Sequence, residues 1–316
     1  MELLNETTVH EFVLLGFRVG ERGRLLLFIF FTAYILTLAE NLIVIMLVTE
    51  NTCLAQLPMY ILLSNFSLLE ICYVSVTVPR MLFDLFFHYG VIFHAFISFH
   101  ACFLQFYAFF SLGNTECFFL SAMALDRYMA ICHPLHYPQM MSRDFCYALV
   151  LTCWVLGILW YITPVFLISR LSFCGPNTID HFVCDPGPLL DLACPPLGYI
   201  PRFCHISVAS VVLATFLFIV ISYARVGFTL VKRSGQGKHI KGFSTVSSQL
   251  AVVTLFYGSV MSMYVGPNGE SRAEVTKVVT LFYSAGTPLL NPLIYCLRND
   301  QVKEALAKFL RRKRVI

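Results

Sequence analysis

Charge is what this 316-residue chain has least of: Asp, Glu, Lys and Arg make up 13% of it, against 58% hydrophobic residues. Ordinary soluble domains hold about 25% charged and roughly 45–50% apolar residues. With a mean hydropathy of +0.75, the deficit excludes a globule dissolved in water. No Walker loop, metal-ligand cluster or nucleophile motif occurs, so the common routes to phosphoryl transfer, metal-assisted hydrolysis and acyl transfer are missing. Neither internal repeats nor paired broken helices are seen, which argues against a secondary transporter. An intramembrane enzyme is weaker still, because Glu70 and Glu116 have no convergent nucleophile. Met1–Gly20 lacks the basic start and continuous apolar core of a cleavable signal, so the first apolar run is expected to act as the insertion signal.

What is present is a series of apolar runs near residues 25–48, 57–87, 97–125, 145–168, 198–231, 249–265 and 275–297. Most approach the roughly 20 residues needed to cross hydrocarbon. The sixth reaches that length if Phe243–Ser248 joins its cytoplasmic end. The expected fold is an all-α membrane protein, a bundle of seven transmembrane helices. Residues 1–24 would be an extracellular N-terminus, 25–297 the seven-transmembrane domain and 298–316 a cytoplasmic tail. Of the 22 Lys and Arg residues, 14 fall in loops and tail on the Asp126-Arg127 side, which makes that side cytoplasmic. The loop Thr49–Gln56 dissents, with Glu50 and no basic residue. This topology leaves the sequon Asn5-Glu6-Thr7 outside, as a glycosylation acceptor.

The segment Met123-Ala124-Leu125-Asp126-Arg127-Tyr128-Met129-Ala130-Ile131-Cys132 places an acid beside a guanidinium at the end of an apolar run, where isolated charges are expensive. It resembles the signature of the odorant receptors, a branch of the rhodopsin-like G-protein-coupled receptors, with Leu125 for the usual Tyr and Met129 for the usual Val. Pro58-Met59-Tyr60, Leu63-Ser64-Asn65, Ser222-Tyr223, Lys241-Gly242-Phe243-Ser244-Thr245, Phe256-Tyr257-Gly258-Ser259 and Pro288–Tyr295 extend the resemblance through most of the chain. Gly242, Val246 and Gln249 depart from it, standing where the family usually has Ala, Cys and His. The stretch Phe86–Phe96 looks longer and more apolar than the family's first outer loop.

The resemblance implies a receptor for small, mostly neutral odorants that activates a heterotrimeric stimulatory G protein from the plasma membrane, with no nucleic-acid partner. In it Asp126, Arg127, Tyr128, Tyr223, Asn291, Pro292 and Tyr295 would carry activation, Arg127 pairing with Asp126 at rest and swinging toward Tyr223 and Tyr295 when active. Pro292 and Pro288 mark points where the seventh span can bend.

Four of the twelve cysteines, Cys102, Cys174, Cys184 and Cys194, fall outside on this topology. Four cysteines allow three pairings that sequence alone does not separate; the resemblance implies Cys102–Cys184 and Cys174–Cys194, closing a lid that contains Asp180, His181 and Asp185. A metal site at His181 beside Cys184 would need the thiolate that a disulfide removes. Glu70, Glu116 and Asn291 lie at mid-membrane depth, where unpaired carboxylates are costly. Two readings stand for them: a site for a sodium ion or shared proton, which the resemblance implies, or protonated groups hydrogen-bonded to Ser67, Ser121 or backbone carbonyls. No other cofactor is implied.

Phe106, Phe109, Phe110, Gly113 and Asn114 recur at helical spacing on one face of the third span. In the family's architecture that face would meet Tyr161, Phe203, Ser207, Val211, Tyr257, Met261, Tyr264, Thr280, Leu281 and Ser284, forming an apolar cavity with a few hydroxyls and one amide. For any one of these side chains plain helix packing accounts equally well. The upper third span has no acid before Glu116 and the seventh has Ala285 in place of a lysine, so an amine receptor's ammonium partner and a retinal Schiff base are both missing. In the tail, Val302, Ala305, Leu306 and Phe309 at helical spacing among Lys and Arg read as an amphipathic helix on anionic membrane lipid, or as a solvated basic tail.

Overall fold

The computed structural model describes residues 9–17, 23–87, 95–174, 176–232, 240–265, 271–298 and 302–307. Asn5 and the side chains of Tyr264 and Tyr295 lie outside the described residues.

Seven helical spans form a bundle. They are α1 (Gly23–Glu50), α2 (Pro58–Phe87), α3 (Phe99–Cys132), then, after a short loop helix α4 (Tyr137–Met140), the pair α5 (Arg143–Trp160) and α6 (Ile162–Ser169). The lid helix α7 (Pro186–Leu192) precedes α8 (Ile200–Lys232) and α9 (Ile240–Val265). The seventh span joins α10 (Ser271–Leu281), a π-helical turn Phe282–Gly286 and α11 (Thr287–Arg298). Among the described residues, α1, α2, α3, the α5–α6 pair and α8 are each long and apolar enough to cross a membrane, and α9 holds a shorter apolar stretch, Gln249–Ser262. Because α9 starts at Ile240, the segment Phe243–Ser248 does join the sixth span.

Local chemistry sets the ends. Ser98 caps α3 by accepting from the Ala101 N–H, and Ser142 caps α5 by accepting from Phe145 with Asp144 in the first turn. The π turn ends immediately before Thr287-Pro288; proline has no N–H to continue the ladder, and widening the preceding turn accommodates it. Span four approaches span three closely at Gly157, where a Cβ would lie 2.7 Å from the Thr115 Cα. Only glycine allows that contact.

Burial is reversed relative to a water-soluble protein. In α1 only Gly23, Thr37, Asn41, Val44, Leu47 and Val48 are buried, while Phe28 and Phe31 stand exposed. That surface suits hydrocarbon and not water. Span three runs through the centre of the bundle, with Phe119, Leu120 and Met123 buried in a core that also takes Phe66, Tyr223 and Val252. A helical segment at 302–307 follows span seven; its Val302 and Ala305 are buried against the same core, with Lys303 and Glu304 exposed.

The lid end of the bundle holds a three-stranded sheet that an all-α expectation did not include. Strand β1 (Glu11–Leu14) pairs antiparallel with β2 (Ala95–Ser98) and parallel with β3 (Thr178–Ile179) of the lid. Phe12 and Leu14 alternate inward from β1 and are buried. The strand thus ties the N-terminal segment, the connection between spans two and three, and the lid together.

Candidate functional site

The lid is held covalently. Cys102 at the top of span three is bonded to Cys184, Cα atoms 5.6 Å apart, and Cys174 to Cys194, Cα atoms 5.1 Å apart. With Cys184 so engaged, it has no thiolate for a metal beside His181. Gln105 adds a polar brace: its Oε1 accepts from the Cys184 N–H at 3.2 Å while its Nε2 donates to the Val76 carbonyl at 3.4 Å. From this anchorage Phe182 and Val183 descend among Val74, Val78 and Met81 of span two and pack against Leu281 and Ala285 of span seven.

Lys277 of span seven, which the sequence reading did not single out, is buried beside the lid. Its Nζ donates to Asp180 Oδ1 at 2.6 Å and to Glu274 Oε1 at 2.9 Å. Its neighbour His181 is buried, and its Nδ1 accepts from the Val183 N–H at 3.2 Å. Burial first, and then the Lys277 charge, push the His181 pKa down to about 3. The ring is therefore neutral, with its proton on Nε2.

Below the lid the span-three aromatics divide between two partners. Phe106 and Phe110 pack on Tyr161, the latter stacked at 4.8 Å between ring centroids. Phe109 stacks on Tyr73 at 5.2 Å and meets Tyr283 at 5.6 Å. Gly113 lies under the Tyr73 hydroxyl, which a Cβ would approach to 3.5 Å. Tyr73 and Tyr283 line this face although nothing in the linear pattern pointed to them. Asn114 is buried with no partner for its Nδ2, and the hydroxyls of Thr280 and Ser284 are likewise unpartnered.

The remaining expected lining residues scatter. Tyr257 is buried and donates to Thr215 Oγ1 at 2.8 Å. Met261 and Leu281 are half-buried. Ser207 is half-buried, its carbonyl accepting from Trp160 Nε1 at 3.0 Å. Phe203 does not face the bundle interior: it is exposed, and Cys204, one residue on, is buried instead. The inward stripe of span five runs Cys204, Val211, Val212, Thr215 and Ile219.

At mid-membrane depth Asn291 Nδ2 donates to Glu70 Oε1. Glu70 Oε2 and both carboxyl oxygens of Glu116 have no hydrogen-bond partner, nor have the hydroxyls of Thr287 and Ser284 on the facing span. These are buried polar oxygens left without a donor, which is costly in a low-dielectric interior.

The end of the bundle opposite the lid brings the signature residues together. Arg127 Nε lies 3.7 Å from Asp126 Oδ2, and Tyr137 of the loop helix donates to Asp126 Oδ1 at 2.7 Å. Tyr128 meets His133 Nε2 at 3.2 Å. Tyr223 donates to Gln249 Oε1 at 2.7 Å, joining spans five and six. Pro292 is buried in span seven beside Asn291.

Comparison with known proteins agrees with this architecture. Residues 30–313 match the olfactory receptor family model. Human olfactory receptor 11G2 is 51% identical over 306 residues, covering 96% of this chain and 87% of its own length, and human olfactory receptor 11H6 is 50% identical over 305 residues, covering 96% and 90%. The crystal structure of squid rhodopsin superposes with a TM-score of 0.70 at 18% identity, covering 90% of this chain and 84% of that one. The chain belongs to the olfactory receptor family and is a multi-pass membrane receptor, not an enzyme.

Proposed function

We propose that this receptor sits in the plasma membrane with its N-terminus outside, binds small, mostly neutral odorants beneath the lid, and activates a stimulatory G protein to raise cyclic AMP. The observation that carries the signalling half is the Asp126–Arg127 pair at the inner end of span three, with Tyr223 held to Gln249 across spans five and six. An odorant that draws span six away from span five would break the second contact and free Tyr223 for Arg127. Tyr295 lies on the opposing span and would complete the group.

The ligand class follows from the walls. Phe106, Phe109, Phe110, Tyr73 and Tyr283 supply apolar contact, while Asn114, Thr280 and Ser284 supply few directional groups. Lys277 is a basic residue bonded to the lid, but two carboxylates neutralise it. A neutral aldehyde, ketone, ester or alcohol suits these walls better than a fatty acid. Glu70 and Glu116, with Asn291, would hold a sodium ion whose charge keeps the two carboxylates together in the resting form. Membrane lipid would cover the exposed apolar faces and the basic tail.

A cyclic-AMP reporter in cells, challenged with an odorant panel, tests the reading. Arg127→Ala is expected to lose the response to the best agonist at normal surface expression. Short-chain acids as the strongest agonists would overturn the ligand class, and G-protein-independent solute uptake would overturn the receptor mechanism.

A further inference from the structure

Outside the bundle interior, spans three, four and five enclose a groove of about 310 Å³. Two of its walls are built on the same pattern. Phe118, Ser121, Ala122 and Leu125 repeat at i, i+3, i+4 and i+7 on α3, and Leu149, Thr152, Cys153 and Leu156 do so on α5. Span five contributes Ala214, Thr215 and Phe218. Leu156 and Phe218 are 43% and 42% exposed, so at this depth the groove opens to bilayer hydrocarbon and not to water.

Its hydroxyls are already engaged. Ser121 donates to the Cys117 carbonyl at 2.9 Å, Thr152 to Ala148 at 2.7 Å and Thr215 to Val211 at 2.6 Å. Apart from the weak S–H of the free Cys153, the groove therefore offers no donor to a ligand's carbonyl or ether oxygen, and a polar ligand would lose its own hydrogen bonds on entering. The volume lies at the small end of the range for small-molecule sites, roughly 300–1,000 Å³. Thr215 also connects the groove to the interior, because its Oγ1 accepts the Tyr257 hydroxyl of span six at 2.8 Å. Leu125, which stands where the related signature has a tyrosine, keeps the inner end free of a phenol.

We infer that this groove is a second ligand site, separate from the odorant site proposed beneath the lid, that takes a small, compact, hydrocarbon-like molecule dissolved in the bilayer and acts on span six through Thr215 and Tyr257. The site itself stands independently of the signalling reading; only its effect on cyclic AMP rests on it.

The chain has two tryptophans, and Trp154 adjoins the groove residue Cys153 and meets the Phe119 ring edge-on at 6.0 Å. In Trp160→Phe receptor reconstituted in phosphatidylcholine nanodiscs, Trp154 becomes the sole tryptophan reporter, beside the groove though not in its lining, and 1-bromoadamantane is the probe, its bromine quenching at short range. Saturable quenching is expected. Ala214→Phe and Thr152→Phe, both exposed at the groove rim, should weaken it by about tenfold or more while leaving the thermal unfolding transition in place. Quenching that rises linearly with probe and is unchanged in both variants would mean bilayer partitioning only, and overturns the site. Nanodiscs of bromine-labelled acyl phosphatidylcholine distinguish the other occupant: if they quench Trp154 and unlabelled adamantane does not relieve it, a lipid tail fills the groove and the proposal fails. Thr215→Val is expected to keep the quenching and abolish the effect of adamantane on agonist-evoked cyclic AMP; a persisting effect overturns the coupling. A silent reporter alongside saturable quenching supports the site and counts against the G-protein reading alone.

Discussion

Asn41 of span one donates its side-chain amide to the Pro288 carbonyl of span seven, 3.3 Å away. That carbonyl is the one Pro292 would reach four residues later if proline had an N–H. In hydrocarbon a carbonyl without a donor is costly, so the neighbouring helix supplies one. The proline that gives span seven its flexible point is therefore supported from span one.

Asn41→Ala should lower the thermal unfolding temperature of the purified receptor and its surface abundance. The expected cost is about 1–2 kcal/mol, the scale of interhelical hydrogen bonds in membranes. Adding Pro292→Ala restores an N–H to the Pro288 carbonyl, so Asn41→Ala should cost less in that background. Equal cost in both backgrounds, read from unfolding temperatures, would show that Asn41 acts otherwise.

Gln249→Ala removes the acceptor that holds the Tyr223 hydroxyl between spans five and six. Losing one buried hydrogen bond is worth about 1 kcal/mol, or roughly fivefold in a two-state balance. Agonist-free cyclic AMP, normalised to surface receptor, should rise by about that factor. An unchanged or lower baseline would mean the Tyr223–Gln249 contact does not favour the resting state.

These contacts mark the boundary of what the linear pattern discloses. The spans were legible because each is an apolar run, and the signature at Asp126-Arg127 because its residues are contiguous. Span five misled at Phe203: Ile200–Lys232 is apolar on every face, so no period indicates which stripe turns inward, and the true stripe sits one residue away at Cys204. Tyr73, Tyr137, Tyr283 and Lys277 were not legible because their partners belong to other elements and packing alone pairs them. Lid and N-terminal strands were missed for a similar reason: a four-residue strand such as Glu11–Leu14 acquires its identity from the segments it pairs with.

Glu116→Gln tests the mid-membrane layer. If a sodium ion joins Glu70 and Glu116, raising sodium at constant ionic strength should right-shift the agonist dose–response of the parent receptor, and the substitution should abolish that shift. Glu116 has no hydrogen-bond partner on either oxygen, so the amide can be accommodated with little other loss. A sodium effect that survives in Glu116→Gln would remove the cation from this pair and leave the acids protonated.

The lid carries the last prediction, which concerns pH. His181 has its pKa pushed down to about 3 by burial and by Lys277, with Asp180 opposing, whereas the unfolded side chain titrates near 6.5. Between those values the unfolded chain binds a proton that the folded lid does not, so stability falls as pH drops below about 6.5 and continues to fall toward about 3. At pH 5 the gap amounts to about 2 kcal/mol on this group alone. His181→Asn lacks the titrating ring and should lose less unfolding temperature between pH 7 and pH 5 than the parent. The surrounding ionisable groups, Lys277, Asp180 and Glu274, are unchanged in the comparison, so the difference isolates His181. Lys277→Met removes the second cause of the depressed pKa, so the onset should stay near pH 6.5 while the loss levels off at a higher pH than in the parent. Equal pH dependence in the parent and His181→Asn would show that the lid histidine is not held neutral when folded.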